Sequence, residues 1–242
     1  MSTLLVTGAG GAIGTAIVHA GRQRGYQVVA QDISDGVLEH LPSDGVTRAV
    51  GDLTTQDGIA DVVAACGDRL DAVVAAHGVA GAGAFEELDD DTMWRAMRVN
   101  SASIPPLFMA LLDLLVAARG SFVAIASQAA LRGEPANSIY AASKWAVRGW
   151  VEGIAPAMAE RGVNVRALCP GRTESPLLET TQREVAAAMG ISYDSFLRDR
   201  FAEIPVGRFA KPEEMATVAL YLADADPRRP TVLAATGGEV TF

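Results

Sequence analysis

The chain has 242 residues, of which 50% are hydrophobic and 20% charged, so it can bury the core of one domain. Its 29 acidic and 20 basic residues give a formal charge of -9, which repels nucleic-acid backbones and anionic lipids and makes both poor partners. Two cysteines and three histidines are too few for a disulfide framework or a clustered metal site, and we predict no catalytic metal.

The first residues run directly into an apolar strand and lack the charged and long apolar segments of a signal peptide. No run approaches the roughly 20 consecutive apolar residues of a membrane span, since even Pro105–Ala118 begins with two prolines and carries Asp113. We therefore expect a cytoplasmic protein without a membrane partner.

Short β-branched runs alternate with longer amphipathic runs, which is the pattern of βαβ units around a parallel sheet. In chain order it predicts strands over Thr3–Thr7, Gln27–Gln31, Thr47–Val50, Ala72–Ala76, Ser121–Ile125, Asn164–Leu168 and Thr231–Ala235. It predicts helices over Ile13–Arg24, Gln56–Cys66, Asp90–Val116, Ile139–Arg161 and Pro212–Ala223. The expected fold is α/β, a Rossmann-like doubly wound parallel sheet of about seven strands in a single domain over residues 1–242.

The segment from residue 174 to residue 211 interrupts this alternation. It has no strand pattern and only two weak helical patterns, over Thr181–Met189 and Tyr193–Glu203. A long excursion in a compact domain is often a lid over a binding site, and we expect a substrate lid here. The alternative is a surface segment without a role.

A glycine-rich turn, Thr7-Gly8-Ala9-Gly10-Gly11-Ala12-Ile13-Gly14, joins the first strand to the first helix. Glycines let the backbone approach a pyrophosphate, whose charge is favoured by the free N–H groups of a helix N-terminus. Asp32, at the end of the second strand, can bind both hydroxyls of an adenosine ribose and would repel a 2′-phosphate, and Ile33 supplies no compensating cation. We predict NAD as the cofactor; alternatively, Asp32 only starts a turn.

A tyrosine and a lysine four residues apart, Tyr140 and Lys144, lie near the start of a long helix, and Ser127 ends the fifth strand. Residues at this spacing face the same side of a helix. An ammonium near a phenol favours phenolate and lowers its pKa from the usual value near 10, so the pair can transfer a proton. The same pair alone is also common on solvated helix surfaces.

Together these features resemble the short-chain dehydrogenase/reductase family over essentially the whole chain. The motifs that carry the resemblance are the glycine turn, Asp32, Asp52-Leu53, Asn100, Ser127, Tyr140-Ala-Ala-Ser-Lys144, Pro170-Gly171 and Gly207-Arg-Phe-Ala-Lys-Pro-Glu-Glu214. The resemblance implies an NAD(H)-dependent oxidoreductase that interconverts a neutral secondary alcohol and its ketone by hydride transfer.

The resemblance also implies roles for single residues. Tyr140 is the general acid/base, Lys144 binds the nicotinamide ribose and lowers the tyrosine pKa, and Ser127 hydrogen-bonds the substrate oxygen. Asn100 holds a water in a proton relay. The further cofactor-binding residues are Gly8, Gly10, Gly11, Ala12, Ile13, Gly14, Asp32, Ile33, Asp52, Leu53, Ala75, Pro170, Gly171, Thr173 and Ser175.

Three positions depart from the family pattern. Ala12 replaces the second glycine of the turn, Ala75-Ala76-His77-Gly78 stands where Asn-Asn-Ala-Gly is usual, and Thr236-Gly237-Gly238 replaces Asp-Gly-Gly. His77 is either a group that titrates near the cofactor or a packed residue whose ring is satisfied locally. None of the three departures removes a catalytic group.

The expected walls of the substrate pocket are small and apolar, which favours a neutral small-molecule alcohol or ketone. They come from residues 79–84, from Ala129-Ala130 and from the lid. Gln128, Glu134 and Asn137 add polarity, and Arg132 has no evident role.

Two other functions stay open because a fold does not fix chemistry. One is a non-catalytic NAD-binding scaffold or redox sensor, and the other is an enoyl reductase or sugar-nucleotide epimerase. The apolar helices over Asp90–Val116 and Ile139–Arg161 further predict a homo-oligomer, a dimer or a tetramer.

Overall fold

The computed structural model describes residues 2–80, 88–133 and 137–240. Within these ranges seven strands form one parallel sheet in the order β3-β2-β1-β4-β5-β6-β7. The strands are β1 (Thr3–Thr7), β2 (Gln27–Asp32), β3 (Val46–Val50), β4 (Ala72–Ala75), β5 (Ser121–Ile125), β6 (Asn164–Pro170) and β7 (Val232–Ala235). The predicted α/β fold, a single-domain, doubly wound parallel sheet, is confirmed.

Helices cover both faces of the sheet. They are α1 (Ala12–Gln23), α2 (Gln56–Ala65), α3 (Asp90–Met97), α4 (Ile104–Ala118), α5 (Ser138–Glu160), α6 (Pro176–Ala188), α7 (Tyr193–Ala202) and α8 (Pro212–Ala223). One core packs the sheet against α2, α4 and α5, and the other packs it against α1 and α8. Along β1, Leu5 enters the first core while Leu4 and Val6 enter the second, because successive side chains of a strand point to opposite faces. Burial on both faces explains why the strands are almost wholly apolar.

The strand order reverses at β1, which pairs with β2 on one side and with β4 on the other. A reversal of this kind opens a crevice at the carboxyl ends of the strands, where α/β proteins bind their ligands. The glycine turn after β1 and the His77-Gly78 segment after β4 lie at that crevice. Because all the strands are parallel, their carboxyl ends lie on one side of the sheet, and Asp32, Ser127 and Pro170 lie there together.

The predicted single helix over Asp90–Val116 is corrected by the structure, because a π-helical segment, Arg98–Ala102, separates α3 from α4. The N–H of Ser103 donates to the carbonyl of Arg98, five residues back, at 3.0 Å. Pro105 and Pro106 follow immediately and have no N–H to continue the regular ladder, so the helix widens before them.

By length and composition alone, the whole helical stretch Asp90–Ala118 could cross a membrane. Its Leu107, Leu111 and Leu115 are fully buried against the sheet, as expected for the core helix of a globular domain.

The predicted excursion contains α6 and α7, and its two ends are joined. An isolated parallel bridge pairs Thr173 with Ala210. The N–H of Ala210 donates to the Arg172 carbonyl, and the N–H of Glu174 donates to the Ala210 carbonyl, both at 2.9 Å. The segment therefore leaves and re-enters the domain at one point; its action as a lid stays a prediction.

Candidate active site

The glycine turn is shaped by backbone contacts that only glycine allows. A Cβ on Gly14 would lie 2.1 Å from the Gly8 carbonyl oxygen, and Gly8 itself has a positive φ of 64°. By contrast, a Cβ on Gly11 would contact only the Gly8 oxygen, at an ordinary 3.4 Å, so the backbone does not require glycine there. Gly11 gives α1 no side-chain cap, and the first turn of α1 carries no acidic residue. Its N–H groups and positive end can therefore receive an anion such as a pyrophosphate.

Asp32 connects the end of β2 to the glycine turn. Its Oδ2 accepts a hydrogen bond from the N–H of Gly10 at 3.0 Å, and its Oδ1 accepts one from the N–H of Ile33 at 2.8 Å. A carboxylate can accept about four hydrogen bonds, so two acceptor sites remain for ribose hydroxyls. The contact with Gly10, 22 positions away in sequence, goes beyond what a turn-starting aspartate would need.

A cleft of about 430 Å³ opens at the reversal point of the sheet. It brings together six of the predicted cofactor-binding residues: Gly8, Gly11, Asp32, Ile33, Asp52 and Leu53. Much of the remaining lining comes from the β4 exit, from α3 and from the π-helical segment with the residue after it: Ala76, His77, Gly78, Val79, Arg95, Arg98, Val99 and Ser103. The sequence therefore predicted one wall of the cleft and missed the arginines of the other.

Other predicted cofactor-binding residues do not line this cleft. Among those of the turn, Gly10, Ala12, Ile13 and Gly14 shape the start of α1. Ala75 is buried within β4, and its neighbour Ala76 lines the cleft instead. Pro170, Gly171, Thr173 and Ser175 lie at and beyond the end of β6, two strands away from β4 in the sheet.

The hydroxyls that follow β6 are engaged locally. The Thr173 hydroxyl donates to the Gly171 carbonyl at 3.1 Å, and the Ser175 hydroxyl accepts from the N–H of Leu178 at 3.1 Å, near the start of α6. A contact of either side chain with a carboxamide stays a prediction.

Lys144 is a buried lysine, with only 4% of its surface exposed. Its Nζ donates to the Ile125 carbonyl at the end of β5 at 3.0 Å, and lies 5.7 Å from the centroid of the Tyr140 ring. Burial lowers the pKa of the Lys144 ammonium to about 8. A Cβ on Gly78 would lie 3.5 Å from this Nζ, so the β4 exit also approaches it closely.

Asn100, in the π-helical segment, braces the β4 exit against α5. Its Oδ1 accepts from the N–H of Val79 at 2.7 Å, and its Nδ2 donates to the Val79 carbonyl at 3.0 Å and to the Ser143 hydroxyl at 3.1 Å. The side-chain amide is thus occupied by protein partners. The proton relay through a water held by Asn100 stays a prediction, and these contacts do not support it.

Ser127 and Tyr140 bound the loop between β5 and α5. Ser127 has extended backbone, and its hydroxyl accepts from the N–H of Ala129 at 3.1 Å, which leaves its O–H proton to donate. Tyr140 lies in the first turn of α5, where its carbonyl accepts from the Ser143 hydroxyl at 2.6 Å. Residues 134–136 between them, and residues 81–87 after β4, lie outside the described ranges. The expected pocket residues 81–84 and Glu134 are among these.

His77 is held by hydrogen bonds on both ring nitrogens. Nδ1 lies 2.6 Å from the Thr7 hydroxyl, and Nε2 lies 2.9 Å from the Ser103 hydroxyl. Ser103 donates to the Val99 carbonyl at 2.8 Å, so Nε2 carries the hydrogen and Nδ1 accepts from Thr7. Desolvation and the charge of Lys144 lower the pKa of His77 to about 3. Of the two alternatives for His77, these contacts support the packed, locally satisfied residue.

Comparison with known proteins identifies the family. A family model described as short chain dehydrogenase matches residues 2–186. The chain belongs to the short-chain dehydrogenase/reductase family. As a member of the short-chain dehydrogenases/reductases, it is an oxidoreductase that uses a nicotinamide dinucleotide, NAD(H) or NADP(H).

The relatives of this short-chain dehydrogenase/reductase are similar over nearly its full length. A 3-oxoacyl-(acyl-carrier-protein) reductase of Thermotoga maritima is 31% identical, with 90% of this chain and 89% of the relative covered. A 3beta-hydroxysteroid dehydrogenase of Mediterraneibacter gnavus is 28% identical, with 99% and 95% covered. A variant of the actinorhodin polyketide ketoreductase, solved with NADPH, has the same fold, with a TM-score of 0.91 at 24% identity and 100% and 98% covered.

Proposed function

We propose that this protein interconverts a neutral secondary alcohol and its ketone with NAD(H), and that Tyr140 is the general acid/base. The observation that carries the proposal is the Lys144 ammonium, buried at the end of β5 and 5.7 Å from the Tyr140 ring. A cation enclosed at this distance favours negative charge on the phenol oxygen. A dinucleotide-binding scaffold could use the lysine for the ribose, but it would not require a tyrosine beside this ammonium.

Ser127, Tyr140 and Lys144 have separate roles in the proposed reaction. When bound, the nicotinamide supplies or accepts the hydride. Ser127 donates a hydrogen bond to the substrate oxygen and stabilises the charge that develops there. Tyr140 delivers a proton to that oxygen during reduction and removes it during oxidation, while Lys144 offsets the charge left on the phenol.

NAD(H) is the proposed cofactor because a carboxylate, Asp32, lines the cleft where the adenosine ribose would bind. The glycine turn would hold the pyrophosphate, and Lys144 would bind the nicotinamide ribose. A preference for NADP(H) is the second candidate. It is favoured by Arg95 and Arg98, which bring positive charge to the same cleft, and by the NADPH in the related ketoreductase.

A neutral substrate is proposed because the arginines that follow β5 and β6 are already paired. Arg132 lies 2.5 Å from Glu239, and Arg172 lies 3.0 Å from both Glu203 and Glu239. A substrate carboxylate would have to compete with these partners. The hydroxysteroid dehydrogenase relative supports a secondary alcohol on a ring.

An activity screen tests the proposal. The purified protein is mixed with NAD⁺ and, in parallel, NADP⁺, together with cyclic and acyclic secondary alcohols, and NAD(P)H is followed by its absorbance. The expected result is turnover of at least one neutral alcohol, faster with NAD⁺. Tight binding of NADH without turnover of any alcohol or of the matching ketones would instead favour a scaffold or redox sensor.

A further inference from the structure

Glu239, directly after the Thr236-Gly237-Gly238 turn, is a buried carboxylate on which three segments of the chain converge. Its side chain is only 2% exposed. Its Oε1 accepts from Nε2 of Gln128 at 3.2 Å and from Nη2 of Arg132 at 2.5 Å, and Nη1 of Arg172 lies 3.0 Å away. A carboxylate removed from water requires such compensation, and here two guanidinium groups supply it.

The partners of Glu239 come from the loops that bound the candidate site. Gln128 is the residue next to Ser127, and Arg132 lies further along the same loop. Arg172 directly follows Gly171, at the exit of β6. Since β5, β6 and β7 are adjacent and parallel, one carboxylate links the exits of all three strands.

The ion pairs continue from Arg172 into the excursion between residues 174 and 211. Arg172 lies 3.0 Å from Oε2 of Glu203, and Oε1 of Glu203 lies 2.7 Å from Arg200. Arg200 is in the last turn of α7 and Glu203 follows it. The segment expected to act as a lid is therefore connected through Arg172 to Glu239 and to the loop that carries Ser127.

The two arginines remain accessible despite their ion pairs. The side chain of Arg132 is 41% exposed and that of Arg172 is 21% exposed. Without the charge of Glu239, Arg132 would lose its ion pair and Arg172 would keep only its pair with Glu203, so more positive charge would be exposed near the loop of Ser127. An anionic substrate would gain from that charge, since charge-assisted hydrogen bonds to a guanidinium are roughly twice as strong as neutral ones.

We propose that Glu239 is a positioning residue that makes the site select neutral substrates over anionic ones. It holds Arg132 and Arg172 in ion pairs, which fixes the loop of Ser127 and keeps these two guanidinium groups from pairing with a substrate carboxylate. The inference rests on the alcohol and ketone activity proposed above, and it explains why a site bordered by arginines would accept neutral substrates.

The test compares two substrates that share one skeleton, a keto ester and the corresponding keto carboxylate. Glu239→Gln keeps the size of the side chain and removes its charge. We expect the ratio of kcat/KM for the carboxylate to that for the ester to rise about tenfold, mainly through KM. The affinity for NADH should stay within about twofold, because the adenosine cleft is not lined by this cluster.

A second variant predicts the opposite change. Arg132→Gln leaves the negative charge of Glu239 less compensated, so the same ratio should fall severalfold. Asp44→Asn is the control: it also removes a carboxylate charge and breaks the Arg22–Asp44 pair of 3.2 Å, which lies before the start of β3 at the opposite end of the sheet, and the ratio should not change.

The outcomes separate the two proposals. If the wild type reduces the ester and the ratio is unchanged in whichever of the two variants folds, as judged by circular dichroism, the role of Glu239 is overturned. If the wild type turns over neither this pair nor any alcohol or ketone of the screen while NADH binds, the proposed activity itself fails. A rise of the carboxylate-to-ester ratio in Glu239→Gln together with a fall in Arg132→Gln supports the proposal that Glu239 and its arginines select substrates by charge.

Discussion

Asp32 is the residue on which the proposed preference for NAD(H) rests. Its carboxylate lines the cleft and is held in place by the N–H groups of Gly10 and Ile33. A 2′-phosphate brought to this position would meet a fixed negative charge. The wild type should therefore bind NADH far more tightly than NADPH, by at least about tenfold.

Replacing that charge should change the preference. Asp32→Ala combined with Ile33→Arg is expected to narrow or reverse the ratio of the two dissociation constants, measured by titrating the fluorescence of NADH and NADPH. Asp35→Ala, an exposed aspartate nearby that does not line the cleft, is the control. Equal affinities of the wild type for both cofactors would contradict the assignment and favour Arg95 and Arg98 as phosphate-binding residues.

At the residue scale, the sequence predicted the groups whose type is unusual for their position, such as Tyr140 with Lys144, or Asp32 at a strand end. It missed Arg95 and Arg98, because charged residues three apart on a helix look like an ordinary solvated face. Glu239 could not be found either, since its contact with Arg132 joins positions 107 apart and only the folded sheet brings them together. The position of Asn100 close to the two arginines was the one available signal for them.

At the scale of secondary-structure elements, His77 links β1 to the start of α4 through its two hydrogen bonds. Its pKa of about 3 in the folded protein is below the usual value of 6.5, so the unfolded chain takes up a proton first as the pH falls. The neutral His77 ring therefore contributes fully to the free energy of unfolding above pH 6.5, and this contribution is lost as the pH falls from 6.5 toward 3.

The acid sensitivity of the fold should therefore depend on this ring. Between pH 7.5 and 5 we expect the wild type to lose more free energy of unfolding than His77→Gln, by about 2 kcal/mol. Urea unfolding at the two pH values measures the difference, with the exposed His19→Gln as the control. An identical loss in the wild type and in His77→Gln would contradict this role.

Most of the strands and helices could be predicted from hydrophobic periodicity. The strands were predicted within two residues at either end, because strands buried on both faces are short apolar runs between turn signals. The π-helical segment at Arg98–Ala102 was not predicted, because periodicity reports which face is apolar and not where the hydrogen-bond ladder changes. Pro105 and Pro106 were the local signal for that change.

At the scale of the whole molecule, the protein exposes apolar surface that a monomer would leave in water. Met109 on α4 is 64% exposed and Trp145 on α5 is 45% exposed. β7 is an edge strand of the sheet. These surfaces favour self-association, and we expect a dimer or tetramer of the 25.2 kDa chain.

Light scattering at micromolar concentration measures the mass directly. Met109→Glu together with Trp145→Glu should lower the mass toward that of the monomer, because buried carboxylates oppose association. Val50→Glu, on the opposite edge strand β3, is the control and should not change it. A monomeric mass of the wild type would contradict the expectation.

Tyr140 is the proposed proton donor and acceptor, and the variant Tyr140→Phe is the sharpest test of that role. The substitution removes one hydroxyl from a ring that otherwise packs unchanged. With a substrate found by the screen, turnover should fall by at least about 10²-fold, as is typical for the loss of a positioned acid/base, while the dissociation constant of NADH changes by less than about twofold. Near-normal turnover of Tyr140→Phe would show that another group, and not Tyr140, transfers the proton.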